Sequence, residues 1–400
     1  MDVTNILIIG NGFDLHHELP TRYTDFLTLV RNWSEFYENM PTDRNMYWKE
    51  WRPGYESPKV RLSYGSLTTD DIKKFLEIDP INYIWDNIER LNKEINSNLW
   101  IKYFVDSKYE KENWIDFERE IEKVVLSTKH FYDTLPSLCD KKVEDSFDKE
   151  TQNIIENFSE GSSGFPTDKN RALLLDDIRP SRIEELKIKV INTMKDHLDS
   201  LIDCLKIYFV EFVDKIEFNK ITPAISKIEN PFVLNFNYTN YINRYNNINK
   251  NSVHYIHGSI DDDTFEYNNM VLGINDENVR DNDFVYFFKY FQRIQKRTGD
   301  QYKHWSSESD GYGGRLPFNV YIFGHSLDSN DKSILSEFFQ RKTVNKIIIY
   351  YHNQSAYEMQ VINLINMFGK DYVVENVSNK KIQFISIQEC ERINRIPNFN

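Results

Sequence analysis

The sequence predicts an α/β fold, a doubly wound parallel sheet carrying a large helical insertion. Three observations lead there. An apolar run at Asn5–Ile9 passes directly into Gly10-Asn11-Gly12. Similar runs return only after residue 230, with helical patterns between the later ones. The stretch from 31 to 230 is helical in periodicity. Unbroken apolar strands belong to sheets covered on both faces, and strands alternating with helices build parallel sheets.

The expected strands are the runs 5–9, 231–236, 253–256, 319–323, 346–351 and 382–385. Helices are expected over 332–341 and 356–367, and within the insertion over 70–104, 114–126 and 181–217. The last opens on Ser181-Arg182-Ile183-Glu184, a capping-box spacing with Ser181 as N-cap. Its stripe is Ile183, Leu186, Val190, Met194, Leu198, Leu201, Leu205, Phe209, Phe212 and Ile216. From 183 to 216, nine steps give 33/9 = 3.67 residues per step. That is a globular amphipathic helix rather than a left-handed coiled coil. The polar segment 140–170 reads as a mobile loop. The expected division is therefore 1–30 plus 231–400 for the sheet domain and 31–230 for a helical lobe.

The chain has 400 residues, 62 Asp plus Glu against 49 Lys plus Arg, and a formal charge of −13. That acidic balance argues against general nucleic-acid binding. No run approaches the ~20 apolar residues of a membrane span, and the N-terminus lacks the basic stretch of a signal peptide. Cys139, Cys204 and Cys390 form no Cys-x-x-Cys pair. Reduced thiols in a cytoplasmic protein without a bound metal are expected.

Gly10-Asn11-Gly12-Phe13-Asp14 follows the first strand. Such a turn lets backbone amides approach a phosphate or ribose, and a plain βα turn explains it equally well. Three more polar turns follow expected strands: Asn235-Phe236-Asn237-Tyr238-Thr239, His257-Gly258-Ser259 and Gly324-His325-Ser326-Leu327. All four would meet at the carboxyl edge of the sheet, where open α/β sheets bind ligands.

These motifs resemble the bacteriophage abortive infection AbiH family. The resemblance runs through Gly10–Leu15, Leu19–Phe26, Trp114–Glu118, Phe236–Thr239, His257-Gly258, Gly324–Leu327 and Asp331, in order along nearly the whole chain. More remotely, the set is similar to sirtuin-like NAD-binding domains. The resemblance implies a sirtuin-like Rossmann-type sheet and an anti-phage role. It also implies NAD as substrate or ligand, hydrolysed to nicotinamide and ADP-ribose on infection. Gly10 and Gly12 would lie at the phosphates, Asn237 and His257 at the nicotinamide ribose, and Gly324 and Ser326 near the adenosine. Asn11, Asp14, Thr239, His325 and Asp331 complete the implied binding set. Thr239 stands where sirtuins usually have Asp, and Asp14 where a small hydroxyl is usual. The zinc-binding cysteine quartet of the deacylases is missing. A phage-derived trigger, an accessory protein or a second copy of the chain is the expected partner.

Such chemistry suits these residue types. Nicotinamide leaves NAD as a neutral molecule, so no general acid is needed. An Asn amide can stabilise an oxocarbenium-like ribose, and a His of pKa ~6.5 can polarise water at neutral pH. A capping or turn role for Asn237 and a satisfied strand-end histidine at His257 are the bland alternatives. A non-catalytic nucleotide sensor is the second reading. A third makes Ser326 the nucleophile of Gly324-His325-Ser326-Leu327-Asp328, which lacks the final Gly of a nucleophile elbow. His254 and His257 point to opposite faces of a strand and do not form a metal pair.

Glu118 falls on a helical stripe with Trp114, Ile121 and Val125. A carboxylate among apolar neighbours must find a partner or shift its pKa. It serves the active crevice or a buried ion pair between lobe and sheet. Asp116 reads as a first-turn acid.

Overall fold

The computed structural model describes residues 3–40, 59–63, 65–78, 83–105, 116–137, 146–159, 180–218, 220–260, 268–275, 279, 281–305 and 316–393. Strand β1 is Thr4–Ile9. The helices α1 (Asn11–His16), α2 (Tyr23–Arg31), α3 (Trp33–Asn39), α4 (Thr69–Phe75), α5 (Trp85–Ser97), α6 (Leu99–Val105), α7 (Phe117–Thr134), α8 (Lys149–Ser159) and α9 (Pro180–Glu211) follow. The chain then gives β2 (Phe232–Asn235), β3 (Val253–Tyr255), α10 (Lys289–Gln295), β4 (Phe318–Phe323), α11 (Lys332–Phe339), β5 (Val344–Tyr351), α12 (Gln354–Phe368), α13 (Lys370–Ser378), β6 (Ile382–Ser386) and α14 (Ile387–Ile393).

The six strands form one parallel sheet in the order β3-β2-β1-β4-β5-β6. This is the doubly wound arrangement expected from the sequence. The chain winds outward from β1 through β2 to β3, then returns to the other side of β1 for β4, β5 and β6. Side-chain alternation divides the core between the two faces. Ile6, Ile8, Leu234, Val320 and Ile347 pack with Ile334, Phe338, Leu364 and Met367 from α11 and α12. Leu7, Ile9 and Val233 pack with the helical insertion.

Helix α9 is 32 residues long, and all ten predicted stripe residues are buried. Each such side chain contributes roughly 1.5–3 kcal/mol as an upper bound, which sets α9 as the spine of the lobe. The helix is described from Pro180 and ends at Glu211, before a separate 3-10 turn at Val213–Lys215. Ser181 therefore lies within the helix rather than at its N-cap, since proline is favoured at a first helical position. The periodic segment 70–104 resolves into α4, α5 and α6. Helix α7 starts at Phe117, and Asp116 is its N-cap, accepting from the Glu118 and Arg119 amides. Trp114 lies outside the described residues. The expected loop 140–170 contains α8, whose Ile154, Ile155 and Phe158 are buried. Its remaining parts, 140–145 and 160–170, lie outside the described residues.

Register places the four polar turns. Ile9 is level with Asn235 on one side and Phe323 on the other, and Asn235 is level with Tyr255. The turns after β1, β2, β3 and β4 thus leave the sheet in one row.

Candidate functional site at the carboxyl edge of the sheet

The first two turns to meet are those after β1 and β4. Gly12 N donates to Gly324 O at 2.8 Å, and Gly10 N donates to Phe323 O at 3.2 Å. Phe13 N donates to Gly10 O at 2.8 Å. The expected phosphate cradle therefore has no free amide at Gly10, Gly12 or Phe13. Gly12 is glycine for another reason. A Cβ there would stand 2.7 Å from Gly324 Cα, so one backbone lies directly on the other. Gly12 has ordinary helical backbone. The positive φ in this pair of turns is at Gly324, 68°.

Neighbouring side chains fasten the same knot. Asn237 Nδ2 donates to Gly10 O at 3.1 Å, and Asn237 N donates to Asn235 Oδ1 at 2.8 Å. Thr21 donates its hydroxyl to Asn11 Oδ1 at 2.6 Å. Thr239 donates to Asp14 Oδ2 at 2.7 Å. Asp14 is fully buried, and its Oδ1 has no partner. Burial pushes its pKa up to about 7 against the Thr239 hydrogen bond.

The second group is ionic. Asp331 closes a 3-10 turn just before α11. Its Oδ2 is 3.4 Å from His325 Nε2, and its Oδ1 is 3.8 Å from both His257 Nε2 and Lys289 Nζ. Lys289 Nζ in turn lies 2.7 Å from Glu118 Oε2. Phe236 sets its ring edge-on to both histidines, 5.5 Å from His257 and 4.3 Å from His325. Four predicted residues, His257, His325, Asp331 and Glu118, are thus gathered around one lysine. The sequence reading passed over that lysine, which sits inside the run Phe287-Phe288-Lys289-Tyr290-Phe291. The usable signal was Glu118 itself, a carboxylate on an apolar stripe that required a cation.

Charge states follow from the packing. Burial alone would raise the pKa of Asp331, but Lys289, His257 and His325 outweigh it and hold the carboxyl well below the usual range. Burial would lower Lys289, yet Glu118 and Asp331 hold it charged, above the ordinary lysine value. Glu118 moves upward through burial, opposed by Lys289. Burial pushes His257 down to about 4 despite Asp331, so the ring is neutral at pH 7.

The two imidazoles differ in what they leave free. Leu327 N donates to His325 Nδ1 at 2.9 Å, which puts the His325 proton on Nε2, facing Asp331. That bond also holds Leu327 in a left-handed conformation, φ 57°. His257 Nδ1 is buried with no hydrogen-bond partner. A neutral imidazole with its proton directed at a carboxylate has its other nitrogen available as a base.

Ser326 stands apart. Its side chain is exposed, its carbonyl accepts from Asn363, and no histidine bonds its hydroxyl among the described residues. His254 also serves elsewhere, packed 5.6 Å from Tyr302 and 6.2 Å from Trp305. No metal-holding group of His, Cys, Asp and Glu occurs among the described residues. No helix among them is long and apolar enough to cross a membrane.

A family model, Bacteriophage abortive infection AbiH, matches residues 6–352. Neither the curated proteins nor the solved structures contain a match to the chain.

Proposed function

Because the chain belongs to the bacteriophage abortive infection AbiH family, which implies a role in stopping phage infection, we propose that His257 and Asp331 form a hydrolytic pair acting on NAD. One observation carries this reading: His257 Nδ1 is buried and unbonded while Nε2 is directed at an ionised carboxylate.

In this mechanism the charge of Asp331, 3.8 Å away, favours the His257 proton on Nε2. Nδ1 accepts a proton from water as that oxygen bonds to the ribose C1′ carbon. The bond from C1′ to the nicotinamide nitrogen breaks, and its electron pair neutralises the pyridinium ring. The products are nicotinamide, ADP-ribose and a proton, which His257 passes to solvent. Glu118 accepts from ribose hydroxyls through the oxygen that Lys289 does not hold. Asn237 donates to Gly10, so it positions the β2 turn and leaves the proton transfer to His257. The orphaned Nδ1 of His257 and Oδ1 of Asp331 suit the ribose end of a dinucleotide. In the glycine turn the amides of Gly10, Gly12 and Phe13 are spent, so it offers the phosphates few donors.

The test is NAD content in phage-infected cells carrying the wild-type protein or His257→Ala, paired with purified protein and chromatography of the products. NAD should fall, with nicotinamide and ADP-ribose appearing, in the wild type alone. Equal NAD levels in both strains throughout infection would refute hydrolysis and leave the nucleotide-sensor alternative.

A further inference from the structure

Helix α10 is built inside out. Its buried face carries Lys289 and Gln292 and continues to Lys296 just beyond its end, whereas Tyr290 and Ile294 are exposed. Buried polar groups need partners, and these three have them. Lys289 has Glu118 and Asp331. Gln292 donates to the carbonyls of Leu272 and Tyr286 and accepts from the Leu272 amide. Lys296 donates to Met270 O at 2.6 Å.

Arg293 shares that face, one turn after Lys289, and is half-buried. Its side chain makes neither a hydrogen bond nor an ion pair among the described residues. Asp331, which its charge also feels, is already held by Lys289 and the two histidines. Tyr302 carries a further polar group toward it, and His254 lies beyond Tyr302. The Tyr302 hydroxyl is unbonded among the described residues. The His254 ring next to Tyr302 buries an unpartnered Nε2.

A half-buried guanidinium with no bonded carboxylate keeps its donors for a ligand arriving from the water side, and a phosphate matches them two at a time. We propose that Arg293 is the phosphate receptor of the site, holding the anionic arm of the substrate with Tyr302 beside it, while His257 and Asp331 face the ribose. This supplies donors that Gly10, Gly12 and Phe13 do not. It rests on the nucleotide reading of the cluster, but it concerns binding rather than hydrolysis.

Calorimetry with inorganic pyrophosphate and with ADP tests it on the full-length protein, melting curves being recorded for each variant. The wild type should bind both probes, and Arg293→Gln should weaken binding roughly 10- to 100-fold, the value of a charge-assisted contact. Arg293→Lys should restore part of the loss. Equal pyrophosphate affinity in the wild type and Arg293→Gln would overturn the assignment, as would no wild-type binding at millimolar probe. Should Arg293→Gln fail to fold, Arg293→Lys decides alone, through weakened or unchanged affinity. Turnover separates this inference from NAD hydrolysis. NAD consumed with an unchanged KM in Arg293→Gln removes the receptor and keeps the hydrolase. Arg293-dependent pyrophosphate binding without NAD loss keeps the receptor and removes the hydrolase.

Discussion

Lys289 holds Glu118 at 2.7 Å, and by that contact α7 of the helical insertion reaches the cluster at the strand ends. The buried ion pair expected of Glu118 between lobe and sheet is present. Glu118 keeps a fifth of its side chain exposed while Lys289 is buried, so the lysine depends on the pair more.

Lys289→Met should destabilise the fold by about 2–4 kcal/mol, less than a fully buried pair because Glu118 retains some water. Glu118→Gln keeps the shape and most hydrogen bonding and should cost less. It should nevertheless reduce NAD consumption per folded molecule. A Glu118→Gln protein that melts early but turns over at the wild-type rate would make Glu118 a structural group alone.

Gly12→Ala places a Cβ 2.7 Å from Gly324 Cα, and Gly324→Ala places one 2.2 Å from Phe13 N while also demanding a positive φ. Overpacking of backbone on backbone costs about 1–3 kcal/mol or more, so both variants should melt early, Gly324→Ala the earlier. A Gly12→Ala protein that melts like the wild type but has lost ADP affinity would mean that the turn contacts ligand after all.

Asp14 gives a pH signature. Its folded pKa, about 7, exceeds the ordinary 3.8, so the folded state retains a proton that the unfolded chain releases. Its contribution to stability therefore falls as pH rises from about 4 to about 7 and is level above that. Asp14→Asn removes this loss. Its advantage over wild type should grow across that window and reach about 2–4 kcal/mol near pH 8. Urea melts at pH 4, 6 and 8 measure it, and a constant difference would show that Asp14 is ionised throughout.

Asn237→Ala removes one of the two donors to Gly10 O and leaves that carbonyl to Phe13 N. The expected cost is about 0.5–1.5 kcal/mol, that of one ordinary hydrogen bond. His257→Ala should abolish NAD loss per folded molecule. Equal loss of activity per folded molecule in both variants would return Asn237 to the reacting centre.

The sheet was legible because each strand is a continuous apolar run, and a run ending in Gly-x-Gly or Asn-x-Asn marks where backbone must turn. His257, His325 and Asp331 were legible as residues of those turns. What the turns do was not. Whether Gly12 N faces a ligand or Gly324 O depends on the register of β1 against β4, which no local pattern encodes. Lys289 was hidden for a related reason. Among four aromatic neighbours it reads as a surface charge on an apolar element, and both its partners are remote in sequence. Arg293 was hidden with it, since ordinary amphipathic reasoning assigns Ile294 to the core and Arg293 to water.

That reversal in α10 has a thermodynamic consequence. Turned about its axis, the helix would bury Tyr290 and Ile294 but would strip Lys289, Gln292 and Lys296 of their partners. Its seating is therefore fixed by directional bonds, several of them to groups outside the helix, rather than by oil-like burial. Bonds of that kind are lost together when the groups opposite withdraw. The amides of α10 should accordingly exchange with solvent as one block, at a rate governed by how long α7 stays in place.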